Sequence, residues 1–100
     1  MKPDKLLLEF EQLVEQCGYT IRKERGSFKG DHCVVEGDKL VMINKNRPVE
    51  LQVGILARVL QQMELQDIYV KPAVRQHLEE LWERFERFND EEEVDSELDL

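Results

Sequence analysis

The segment DHCVVEGDKLVMIN, residues 31–44, constrains the fold of this chain most strongly. Two runs of β-branched and apolar residues flank Gly37 and Asp38, a pair typical of a tight hairpin turn. The pattern predicts a β-hairpin in which Gly37 takes a positive φ and Glu36 lies opposite Lys39, a favourable cross-strand charge pair.

The register of this hairpin assigns its side chains to two faces. The predicted pairs are Val35–Leu40 and Cys33–Met42 on one face, and Val34–Val41 and His32–Ile43 on the other. Both faces are mostly apolar. We expect one face to meet helices, so the other needs cover from more of the chain or from a second subunit.

Segments with helical periodicity surround the hairpin. The first predicted helix begins at its N-cap Asp4 and stops at Gly18 in the left-handed conformation. The second has Pro48 as its first residue, and its internal Gly54 predicts a close approach to a neighbouring element. The third begins at Pro72 and has a face rich in aromatic residues.

A short strand, residues 19–23, completes the order α-β-β-β-α-α. This order predicts an α+β fold in which a three-stranded antiparallel meander packs against three helices. Residues 1–89 are expected to form a single domain, and residues 90–100 an acidic, mobile tail.

The net charge of −8 is unevenly distributed. Residues 1–60 hold ten Lys and Arg against nine Asp and Glu, whereas residues 61–100 hold four against thirteen. This acidity disfavours nucleic acid as a partner. No apolar run is long enough for a bilayer span, and the N-terminus lacks the pattern of a signal peptide, so we expect no membrane association and a cytoplasmic protein with reduced cysteines.

Basic residues cluster around the loop ERGSFKG, and they define an alternative function. Arg22, Lys23, Arg25 and Lys29 are candidate anion contacts for a small ligand or a nucleic acid. The loop lacks the GK[ST] element of a phosphate-binding loop and leads into a strand rather than a helix.

The residues suited to metal binding or catalysis are few and poorly spaced. His32 and Cys33 are adjacent in a strand and therefore point to opposite faces, and the chain has no CxxC or HxxxH pair. We expect no metal, no cofactor and no catalytic residue. A cryptic enzyme remains an alternative, and it requires Cys33 to meet His77.

The run from Glu24 to Leu60 resembles a small family of uncharacterised bacterial proteins, with a Gly-containing loop, a Cys-bearing strand, a strand ending in Ile-Asn-Lys, and a helix opened by Pro and Glu. A weaker similarity links the strand and the following helix to a zincin-like scaffold. The corresponding part of this helix reads ARVLQ and lacks the HExxH motif, so the resemblance implies a scaffold without zinc and no peptidase residue.

The sequence therefore favours a non-enzymatic protein–protein interaction module that self-associates as a homodimer. Its expected contact residues are the hairpin side chains His32, Val34, Val41 and Ile43, with Trp82 and Phe88 as secondary contacts.

Overall fold

The computed structural model of the chain describes residues 1–25, 32–35 and 37–99, with residues 32, 33 and 88–99 described in backbone only. The elements are α1 Pro3–Gln16, β1 Thr20–Glu24, β2 His32–Val35, β3 Leu40–Asn44, α2 Val49–Gln61 and α3 Pro72–Asp99. The α+β class and the order of the elements are confirmed. Across the described ranges, no helix combines the length and apolarity needed to span a membrane.

The sheet is mixed, so the predicted antiparallel meander is wrong. Its strand order is β1-β3-β2, with β3 in the centre. β1 pairs with β3 in parallel, and β2 pairs with β3 antiparallel. The chain therefore passes from one edge of the sheet to the other between β1 and β2, and then returns to the middle.

Burial explains why β3 takes the central place. Its side chains Val41 and Ile43 are fully buried, whereas β1 carries Arg22, Lys23 and Glu24. A central strand is flanked by backbone on both sides and suits apolar side chains, while an edge strand tolerates charge. The connection of residues 25–31 is also longer than a typical hairpin loop and long enough to pass across the end of β3.

The core lies between one face of the sheet and the helices. Val41 and Ile43 join a cluster of buried side chains from all three helices, with Phe10, Leu56 and Leu78 at its centre. Removing this apolar surface from water is the main force that holds the helices on the sheet.

The helix ends agree only in part with the predictions. Gly18 has φ 92°, which confirms the left-handed stop after α1. The N-cap of α1 is Lys2 rather than Asp4, because Pro3 takes the first helical position. Pro48 is the N-cap of α2 instead of its first residue.

The predicted hairpin register is confirmed, but its turn differs. The observed pairs run from His32–Ile43 to Val35–Leu40. The positive φ falls on Lys39, at 50°, and Gly37 does not take the left-handed conformation. Glu36, expected opposite Lys39, lies outside the described residues.

The predictions for Gly54 of α2 and for the C-terminal segment have different outcomes. The close approach proposed for Gly54 is wrong, since a Cβ placed there meets no described atom within 4 Å beyond its own helix backbone. The acidic segment predicted as a tail continues α3 in backbone as far as Asp99. The mobility of residues 90–100 stays a prediction.

Candidate functional site

The two edges of the sheet differ in chemistry. The β2 edge, residues 32–35, has the sequence HCVV. Val34 is 38% exposed, although it pairs with the fully buried Val41 and shares its face. The difference arises because α1 packs against β1, at the opposite side of the sheet from β2.

No described strand pairs with the outer side of β2. The only strand that pairs with β2 among the described residues is β3, on its inner side. Unpaired N–H and C=O groups on an edge strand are a template for another strand. No charged residue or proline occurs within the β2 edge to block such pairing.

The residues predicted for an interface fall into three groups. Val41 and Ile43 belong to the chain's own core and offer no surface. Trp82 is half-buried, and its indole Nε1 donates a hydrogen bond to the Ala57 carbonyl at 2.7 Å, which ties α3 to α2. Val34 alone is exposed. The side chains of His32 and Phe88 lie outside the description.

The face of the sheet turned away from the core has no helix against it in the described part of the chain. Leu40, Met42 and Val35 are half-buried there and do not belong to the core cluster. Cys33 pairs in backbone with Met42. Because the side chains of Val35, Leu40 and Met42 are already partly covered, this face is a weaker candidate for contact than the β2 edge.

The β1 edge carries charged side chains that form ion pairs within the chain. Arg22 forms an ion pair with Glu24 at 3.0 Å, and Lys23 forms one with Glu11 of α1 at 2.9 Å. Two of the predicted anion contacts are therefore already matched by carboxylates. Lys29, another of them, lies outside the described residues.

A basic group adjoins the end of β1, and it joins the predicted contact Arg25 to two residues that the sequence analysis did not predict, Lys45 and Arg47. The backbone N–H of Lys45 donates to the carbonyl of Glu24 at 3.0 Å, which places Lys45 beside Arg25. We call the exposed residues Arg25, Lys45 and Arg47 the basic corner. The signal in the sequence is the run NKNR, residues 44–47, between β3 and α2.

His77 lies in a cleft between the three helices. The cleft has a volume of about 260 Å³, with Leu6, Val53 and Leu81 as apolar lining and Glu50 among the charged lining. The side chain of Cys33 is not described, so the Cys33–His77 enzyme hypothesis stays a prediction.

The remaining thiol is not activated. Burial raises the pKa of the Cys17 thiol above its ordinary value, which disfavours the reactive thiolate. Within residues 1–25, 32–35 and 37–99, no group of three His, Cys, Asp or Glu side chains is placed to hold a metal ion.

Comparisons with models of protein families, with curated proteins and with solved structures found no match to this chain.

Proposed function

We propose that this chain is a non-enzymatic interaction module whose partner is a second copy, joined through the β2 edge. The observation that carries the proposal is the contrast between this unprotected apolar edge, with Val34 exposed, and the charged β1 edge. Natural edge strands commonly carry charges that prevent pairing, so an edge without them is suited to a partner.

The expected mode is antiparallel pairing of β2 with the same strand of a second chain. This arrangement has two-fold symmetry and closes after two copies. It would produce a six-stranded sheet in which the exposed Val34 side chains lie near the dyad. The strand has four residues, so the interface is small, and we expect an affinity in the micromolar range, about −8 kcal/mol.

The test compares Val34→Lys with Leu8→Lys. Both replace an exposed apolar side chain by lysine, but Leu8 is 54% exposed on α1, away from β2. Light scattering after size exclusion should give a dimer for the wild type and for Leu8→Lys. Val34→Lys should be a monomer, because two lysines would face each other across the dyad.

Amide hydrogen exchange supplies an independent measurement. Protection of amides in residues 33–35 should rise with protein concentration in the wild type and not in Val34→Lys. A wild type that stays monomeric at high micromolar concentration would refute self-association. Equal dimerisation of both variants would place the contact elsewhere on the molecule.

A further inference from the structure

We propose that the basic corner binds a compact, multiply charged phosphate group, such as that of a pyrophosphate-bearing small molecule. This inference is independent of self-association, because the corner belongs to the ends of β1 and β3 and not to the β2 edge. The proposal rests chiefly on Arg25 and Lys45, which form no ion pair with any described side chain.

The first argument is the local excess of positive charge. Residues 20–25 and 40–46 contain four cations and a single carboxylate, Glu24. That carboxylate is bound to Arg22, and Lys23 is matched by Glu11. Exposed charges are screened over about 8 Å at physiological ionic strength, so carboxylates farther away than this lower the potential at the corner only weakly.

The second argument is the position of the two strand ends. β1 and β3 are parallel neighbours whose last pair is Glu24 with Asn44. Arg25 and Lys45 therefore leave the sheet at the same end, from strands about 4.8 Å apart. Long side chains that start from neighbouring strands can bring their charged ends to a single dianionic group, and a guanidinium can contact two phosphate oxygens at once.

The third argument is that hydrogen bonds within the chain already hold the backbone of the corner in the absence of a ligand. Asn44 accepts two hydrogen bonds, from the backbone N–H of Asn46 to its Oδ1 at 3.0 Å and from that of Arg47 to its carbonyl at 3.2 Å. The Gln52 side chain, buried in α2, donates to the carbonyl of Arg47 at 2.8 Å. A preorganised loop loses less entropy when it binds a ligand.

A compact phosphate fits this site better than a nucleic acid strand. Binding of single strands without sequence preference uses aromatic side chains that stack on bases, and residues 22–25 and 44–48 include none. A long polyanion would also extend beyond the corner and approach a molecule with a net charge of −8.

The experiment is an NMR titration of the ¹⁵N-labelled full chain with pyrophosphate at low salt. Shifts should concentrate on the backbone amides of residues 25 and 45–47. The variant Arg25→Gln/Lys45→Gln should bind about tenfold more weakly, since it loses two charge-assisted contacts. Both replaced side chains are exposed, and an unchanged thermal unfolding midpoint would show that the fold is intact.

The matched control is Lys39→Asn/Arg75→Gln, which removes the same charge at the turn before β3 and on α3. Asparagine tolerates the positive φ of residue 39. The control should bind as the wild type does. Equal weakening in both variants, or no localised shift up to about 10 mM ligand, would overturn the proposal. Tighter binding of a thymidine oligonucleotide than of pyrophosphate would also overturn it, in favour of nucleic acid.

Discussion

The two edge strands of this small sheet differ in whether their side chains hinder pairing with a further strand. β1 and β2 both flank β3, and in the described part of the chain neither pairs with a further strand. The β1 edge alternates charges that are satisfied within the chain, by Glu24 on one face and by Glu11 of α1 on the other. The β2 edge consists of a histidine, a cysteine and two valines, and it has no Lys, Arg, Asp or Glu within the strand.

This difference indicates that the β1 edge resists pairing with another strand, whereas the β2 edge permits it. A charged edge strand must desolvate its side chains before another strand can pair with it, which makes association costly. The valine edge carries no such cost, and burial of Val34 would stabilise a complex. Helix packing strengthens the contrast, because among the described residues α1 packs against β1, at the edge of the sheet opposite β2.

The most direct way to break the contrast is to remove the charges from β1. In Arg22→Thr/Glu24→Thr the exposed ion pair is lost, at a stability cost of less than about 1 kcal/mol. Threonine favours strands, so the variant should have two edges able to pair. Since a molecule with two such edges no longer closes at two copies, sedimentation velocity should show species larger than a dimer.

The matched control adds Val34→Lys to the same variant. The triple variant retains only the new β1 edge and should return to dimers. Sedimentation identical to the wild type in the double variant would mean that charge does not protect β1.

The second prediction compares the centre of the sheet with the β2 edge. Ile43→Ala should lower the free energy of unfolding by about 3 kcal/mol, because it leaves a cavity beside fully buried neighbours. Val34→Ala should lower it by about 0.5 kcal/mol, because this side chain is already exposed in one chain. Urea unfolding at low protein concentration, where the monomer dominates, measures both values.

A large loss of stability in Val34→Ala at low concentration would show that the β2 edge is covered by its own chain. The same measurement repeated at high concentration should enlarge the effect of Val34→Ala alone, since association stabilises the folded state by mass action. Ile43→Ala provides the reference, because its loss arises within one chain.

Local chemistry allowed much of the fold to be predicted. The left-handed stop at Gly18 and the register of the hairpin follow from residue type and from the two-residue period of a strand. That period assigns residues to faces, but it does not say which strand is central. The length of the connection between β1 and β2 was the one available indication that these strands are not neighbours.

The order of the strands, which the sequence did not reveal, determines which residues come together in the candidate sites. In a meander, β2 would separate β1 from β3, and the ends bearing Arg25 and Lys45 would lie about 10 Å apart, two strand spacings. With β3 in the centre, they lie one spacing apart. The same strand order makes β2 an edge strand and β3 the central strand, whose Val41 and Ile43 are fully buried and offer no surface for an interface.

The last prediction concerns Gly54, in the interior of α2. A methyl group at Gly54 meets no described atom within 4 Å beyond its own helix backbone, so Gly54→Ala should stabilise the helix by up to about 1 kcal/mol. For a domain of this size, that gain raises the thermal midpoint by about 4–8 °C. A lower midpoint would instead reveal a neighbour packed against the glycine.

This variant also distinguishes pairing of folded edges from exchange of segments between chains. Edge pairing uses the folded monomer, so the dissociation constant should not change when the monomer is stabilised. A swapped dimer must open the core before it forms, so its rate of formation should fall as stability rises. Dimerisation kinetics of Gly54→Ala, measured by dilution and re-concentration, therefore test whether the β2 edge associates as it stands in the single chain.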